Sequence, residues 1–581
     1  MHWSHWLRAS RRAIETQLLR DSAAPRNSPY VPIHRIFSPL ASLTDALAQR
    51  NVWAAISVLA AFVTIWTLYA AVTTAGQDVH FDMTEIIAWS REGAFGYPKH
   101  PPLIAWIARA WFTVFPRADI AFFLLSFLTV AIGLWFVWLI TLRVVPTGAT
   151  RAAGLVLLTL TPVCTFLALK FNPNSLLIPL WAAATYTFLR SYEDRSALWG
   201  ALAGIAAAMA VLGKYWSLFL LLAFAVAAIV DCRRRDYWRS PAPWVSIITG
   251  GLVLAPHAMW VVSHHFSGYA YAIEAHGHQT NLTLARAILN YLGGGFLYVI
   301  APIAAVLLAA RPGRATLLDM IWPSDPTRRF LAVIFWVALL APVFVALALR
   351  TRVDSLWTMS SFAVLPALLL GAKGLAMRRS RAVALVGFAA AFPLVMLALS
   401  PFIAIGVHGD ERTPYSGQGS LLAREAQRLW NTQTSTPWRF VAGPRQLAWA
   451  AEFYAKDAPR ALPDFSIQLA PWIDPDAMVR DGWIGLCLAA DTDCLDAARD
   501  LAKRSTGAQW NEVVVQRRLF GIAGPDVHFA VVVVPSVIVP PSEQVAPNHS
   551  VSADEMPGGT FKAHPGVGNA AQRPPRSIAD M

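Results

Sequence analysis

Charge is what this sequence has least of. Only 14% of its 581 residues are Asp, Glu, Lys or Arg, against 56% hydrophobic, and its mean hydropathy is +0.45. So little charge excludes a soluble globular enzyme and leaves an integral membrane protein. Cysteine is scarce too: there are four, none in a CxxC pair, which argues against a zinc ribbon. The chain has no P-loop, no dinucleotide fingerprint and no internal repeat, so no nucleotide-binding or solenoid reading follows. The net charge of +13 does not imply nucleic acid. No basic stretch is interleaved with stacking aromatics in a soluble module, and membrane proteins collect Lys and Arg in cytoplasmic loops.

What is abundant is long apolar sequence. Runs of spanning length lie at about 52–74, 119–142, 152–170, 176–190, 197–213, 215–230, 245–262, 287–310, 330–349, 356–372 and 382–404, which predicts about eleven transmembrane helices. The polar, basic segment 1–50 precedes a run too long for a cleaved signal peptide, so an uncleaved anchor with a cytoplasmic N-terminus is expected. With that end inside, the inside loops hold most of the arginines, among them Arg143, Arg151, Arg190, Arg195, Arg233, Arg234, Arg235 and Arg239. The assignment obeys the positive-inside rule, and an odd span count sends the C-terminal region outside. From about 405 the composition changes. Trp438–Val441, Trp483–Leu488 and His528–Val534 read as strands, while 443–456 and 494–503 read as helices. Residues 405–535 are therefore expected to form a small extracytoplasmic α/β domain, and 536–581 a disordered tail rich in Pro, Gly and Ser. Cys487 and Cys494 form a disulfide there or stay as buried thiols; the sequence leaves both open.

One polar stretch, Asp78 to Trp106, organises the rest. Asp78, Asp82 and Glu85 fall four and then three residues apart, which on a helix gives one acidic face. Ile86, Ile87 and Trp89 are expected to lie against the bilayer interface. Gly93 and Gly96 end the helix, and Pro98 and Pro101-Pro102 make a stiff elbow into a second short helix, Leu103 to Phe115. Lys99-His100 sits at that elbow. The first external loop, 75–118, is thus read as two interfacial helices carrying acids and cations to the membrane surface.

The pattern Asp82…Trp89-Ser90…Gly96-Tyr97…His100-Pro101-Pro102-Leu103…Ala105-Trp106 resembles the first external loop of the bacterial dolichyl-phosphate-mannose-protein mannosyltransferase-like family. These are GT-C membrane glycosyltransferases related to the lipid A aminoarabinose transferases. The resemblance, with the multi-span layout, covers about residues 50–405. It implies an all-α, GT-C-like polytopic domain over 51–404 in the bacterial inner membrane, with its active site facing the periplasm. It also implies transfer of a sugar from a polyprenyl-phosphate donor to a lipid, glycan or protein acceptor, with inversion, including lipopolysaccharide modification. Asp82 matches the family's catalytic Asp and is expected to act as general base. Glu85 is expected to orient the acceptor or to raise the pKa of Asp82 by like-charge proximity.

Four cations with Lys99 complete the candidate site. His100, Lys170, Lys214 and Arg352 stand with it at outer helix ends, where cations either snorkel or hold a lipid phosphate. The loop 263–286 carries Glu274, His276 and His278, which suit a divalent metal or, as protonated imidazoles, a phosphate or acidic sugar. No cofactor is otherwise required. Family acids are replaced here by Met83 and Lys99, and Asn172-Pro173-Asn174 stands where relatives often have a second Asp. The pocket is therefore expected to be more cationic than in relatives. The rival readings are a transporter or flippase of lipid-linked sugars, which needs ionisable groups at mid-membrane, and a non-catalytic scaffold.

Overall fold

The computed structural model describes residues 33–146, 148–265, 268, 277, 279–408 and 418–536. Every one of the eleven apolar runs forms helix. Among the described residues, six helices are long and apolar enough to cross a membrane: Val52–Thr73, Asp119–Val144, Ala242–Ser263, Asn281–Ala310, Pro326–Leu349 and Arg379–His408. The run at 152–170 is a bent pair, Ala149–Leu160 and Pro162–Leu169, turned by 71°. Pro162 supplies no backbone donor at the break and Thr161 is extended there, its hydroxyl accepting from the Cys164 N–H at 3.3 Å. Counting that pair makes seven. The runs at 197–213, 215–230 and 356–372 give apolar helices of 17 residues or fewer, so length alone does not carry eleven crossings. This chain is a multi-pass membrane protein.

Small residues bring these helices close. A Cβ added to Gly204 would lie 2.2 Å from the Ser246 carbonyl, and the Ser246 hydroxyl donates to Gly200 O at 2.8 Å. Helix Ala242–Ser263 is seated on Ala197–Gly213 in this way.

The C-terminal region is a five-stranded mixed sheet with helices. The strands are β1 (Phe440–Gly443), β2 (Arg460–Pro463), β3 (Trp483–Leu488), β4 (Gln509–Leu519) and β5 (Ile522–Val534), in the order β2-β1-β3-β5-β4. β1 runs parallel to β2 and β3, and β5 is antiparallel to β3 and β4. Phe520 and Gly521, both at positive φ, close the β4–β5 hairpin, as a two-residue turn with primed geometry requires. Cys487 on β3 is bonded to Cys494 on helix Thr492–Ala502, with Cα atoms 5.8 Å apart, so the disulfide alternative holds.

This domain grips the first external loop. The Asp78 carboxylate accepts from the Gly419 N–H at 2.7 Å and the Ser420 N–H at 3.2 Å, at the N-terminus of helix Gly419–Gln433. The Tyr454 hydroxyl accepts from Val79 N–H at 2.9 Å and donates to Asp119 at 2.8 Å. Arg91 meets the buried Glu452 at 3.0 Å, and Arg460 meets Glu92 at 2.6 Å. Glu452 also accepts from the Ala461 N–H at 3.2 Å.

Removing one partner of a buried pair leaves the other charge unpaired, at a cost of about 3 kcal/mol or more when it cannot reach water. Arg91 is 36% exposed and Glu452 only 3%. Arg91→Met should therefore lower the thermal unfolding temperature of the purified protein more than Glu452→Gln does. The double variant should recover part of the loss.

Candidate active site

The loop helix spans Phe81–Glu92, with His80 as its N-cap and Gly93, at φ 61°, as its C-cap. The cap fixes the start: the Asp82 N–H donates to His80 Nδ1 at 3.1 Å. Asp78 lies before it and faces helix Gly419–Gln433, so it leaves the acidic face expected from the spacing. Ile86, Ile87 and Trp89 are buried in the protein and not against lipid. Trp89 stacks on Tyr97 with ring centroids 5.4 Å apart, and the Tyr97 hydroxyl donates to the Trp89 carbonyl at 2.7 Å. His100 packs edge-on to Trp89 at 5.8 Å, and its carbonyl accepts from the Tyr97 N–H at 3.1 Å. The elbow is pinned from the other side by helix Ala242–Ser263. His257 Nδ1 lies 2.6 Å from the Phe95 carbonyl, and a Cβ at Gly96 would fall 2.1 Å from the Trp260 ring.

Asp82 and Glu85 remain on one face, each with its own lysine. Lys170, just beyond the bent pair, lies 2.8 Å from Asp82, and Lys99 at the elbow lies 2.9 Å from Glu85. Burial pushes the Asp82 carboxyl up, but Lys170, then His80 and Lys99, outweigh it and hold it at about 2. Glu85 is more deeply enclosed. Burial raises its pKa, Lys99 opposes that, and Asp82 adds to the rise. The like-charge effect expected at Asp82 thus falls on Glu85, because Asp82 has the stronger cationic surroundings. Lys170 Nζ also lies 3.2 Å from His80 Nε2. Burial and the two lysines hold that imidazole below its ordinary pKa against the pull of Asp82, so it is neutral near pH 7.

Lys214 differs from both. Its ammonium donates to the neutral Asn174 side chain at 2.6 Å and stands 5.1 Å from the centre of the Trp357 ring. Burial lowers its pKa to about 7, with Asp354 opposing, Lys99 adding to the fall and Asp82 opposing. Arg352 is exposed and 3.9 Å from Asp354, the carboxylate that also acts on Lys214. Sequence reasoning named Lys99, Lys170 and Lys214 but not His80, Asn174 or Trp357. Asn174 stands in the Asn-Pro-Asn segment noted for its missing acid, and it serves there as a neutral partner for a cation. Glu274, His276 and His278 lie outside the described residues. Among the described residues no three metal-ligating side chains come together.

Residues 99–260 match the dolichyl-phosphate-mannose-protein mannosyltransferase family. The match begins at Lys99 and does not reach Asp82 or Glu85. The structure is similar to ArnT from Cupriavidus metallidurans bound to undecaprenyl phosphate, at TM-score 0.50 and 14% identity, covering 81% of this chain and 97% of that one. The apo state of the same protein gives TM-score 0.50 and 13% identity over 82% and 98%. No curated protein sequence matches. The likeness establishes an ArnT-like GT-C fold, and with the family match it supports the resemblance read from the loop.

The cluster makes a pH prediction. Lys214 is protonated below about 7 and neutral above it, whereas Asp82 stays ionised throughout. A polyprenyl phosphodiester, whose single charge does not change over this range, should therefore bind about tenfold more weakly at pH 8 than at pH 6. Lys214→Met should weaken binding and flatten this dependence, as read by titration of the purified protein with that phosphodiester.

Proposed function

We propose that this chain is a membrane glycosyltransferase that moves a sugar from a polyprenyl-phosphate carrier to a hydroxyl acceptor on a lipid, glycan or protein. The observation that carries the reading is one cluster: an ionised carboxylate, Asp82, flanked by Lys170 and within the field of Lys99 and Lys214. Such a transfer needs a base for the acceptor and fixed positive charge for the departing phosphate. The donor brings its own leaving group, so no nucleotide site is needed.

Asp82 takes the acceptor's proton. The freed oxygen pair forms a bond to the anomeric carbon, and the bond from that carbon to the phosphate oxygen breaks with its electrons on the phosphate. Lys214 and Lys170 receive that charge. A single displacement inverts the anomeric centre. Glu85, held by Lys99, positions the face on which the acceptor lies. The family match supports a lipid-phosphate-linked donor. So does the similarity to an ArnT crystallised with undecaprenyl phosphate. The arginine-rich inside loops and the Cys487–Cys494 disulfide support an inner-membrane protein with its loop and α/β domain in the oxidising periplasm.

Asp82→Asn keeps the shape and removes the base, and should reduce sugar transfer by about 100-fold or more. Glu85→Gln should cost less, because it leaves the base in place. Radiolabelled sugar transfer in membranes with matched protein levels measures both. Equal turnover by Asp82→Asn and wild type would remove Asp82 from the chemistry.

A further inference from the structure

The proposed base is engaged in the resting site by a group that the phosphate also needs. Asp82 faces Lys170 at 2.8 Å, with His80 on its own segment and Glu85 one turn on. Lys99 from the elbow and Lys214 add their fields. A carboxylate paired this way is a weak base, since efficient proton abstraction calls for a pKa nearer the working pH.

The two ion pairs are not equally able to open. Glu85 is 8% exposed, so withdrawing Lys99 leaves its carboxyl enclosed with no partner and little access to water. Asp82 is 23% exposed and Lys170 31%. Losing Lys170 leaves Asp82 some access to water, and the lysine head is itself reachable. Lys170 also lies 3.2 Å from His80 Nε2, the nitrogen that carries the proton while Nδ1 caps the helix, so the imidazole offers the ammonium no competing acceptor. Lys214, bonded to a neutral amide, needs no carboxylate to release it. Of the two pairs, Lys170–Asp82 is therefore the one an incoming phosphate opens more readily.

We propose that Lys170 is exchanged between Asp82 and the donor phosphate, so that donor binding itself frees the base. This rests on the reading that the site takes a polyprenyl-phosphate donor. Lys170 is then a positioning residue whose ammonium couples two events. While the site is empty the base is masked. When the phosphate arrives, the same ammonium moves to the leaving group, and Asp82 becomes more basic beside the acceptor.

The exchange leaves a signature in binding alone. Undecaprenyl phosphate is titrated onto the full-length protein in nanodiscs near pH 7, using wild type, Asp82→Asn, Lys170→Met and the double variant. Removing the competitor should make Asp82→Asn bind about three- to tenfold tighter than wild type, and Lys170→Met about tenfold weaker. In the Lys170→Met background, Asp82→Asn should gain less than about twofold, because the gain runs through the lysine. Lys170→Arg, which keeps the charge, should preserve the gain and guards against a folding defect in Lys170→Met. No gain from Asp82→Asn overturns the exchange. So does an equal gain in both backgrounds, which would be bulk repulsion between carboxylate and phosphate. Absence of binding by folded wild type would instead defeat the donor reading beneath it.

Discussion

Two carboxyl groups held against lysines in a place nearly closed to water are the constraint on which this structure turns. Burying a lone carboxylate costs several kcal/mol even after relaxation, roughly what a whole domain has to spare. Asp82 and Glu85 are each met by a lysine within 3 Å, and the two lysines come from different parts of the chain. Lys99 arrives from the elbow of the same loop. Lys170 arrives from the end of a helix pair broken at Thr161-Pro162. Without that break the segment would continue as one straight helix, and its last residue would not be directed by the 71° turn. Lys214 remains the odd cation, with an amide for a partner, and on this asymmetry rests the proposal that the cluster receives an anion.

The loop that carries the acids is held as firmly as the acids are. Tyr97 and Trp89 stack inside it, His257 and Trp260 press on it from the membrane helices, and the α/β domain holds both its ends. Asp78, Val79, Arg91 and Glu92 all bond into residues 419–460. The α/β domain is therefore part of the scaffold of the loop helix. A rigid support of this kind costs nothing at the moment of reaction, the condition under which fixed charges are most effective.

Much of this was legible in the sequence. The eleven apolar runs all became helix, and the loop helix, its Gly93 terminus and the proline elbow lie where the periodicity and the breakers put them. What failed did so for physical reasons. Asp78 fits the helical spacing of an acidic face, but the His80 cap starts the helix after it and leaves it to a backbone partner 341 residues away. Ile86, Ile87 and Trp89 look the same in sequence whether lipid or protein covers them, and here protein covers them. β2 is four residues ending in Pro463, and β4 is half polar along one exposed face, so neither has a strong strand signal. The cations at outer helix ends could be singled out by their side of the membrane. Their pairing could not, because which lysine meets which acid depends on a bend and an elbow that no local pattern encodes.

If the proposed function is right, this cluster receives a lipid-linked phosphate beside an ionised Asp82. A cryo-electron microscopy structure of the protein in nanodiscs with undecaprenyl phosphate tests it most directly. Phosphate density is expected within hydrogen-bonding reach of Lys214 and Lys170, with the Lys170 ammonium drawn off Asp82. Phosphate bound away from both lysines, with the Lys170–Asp82 pair intact, would contradict it.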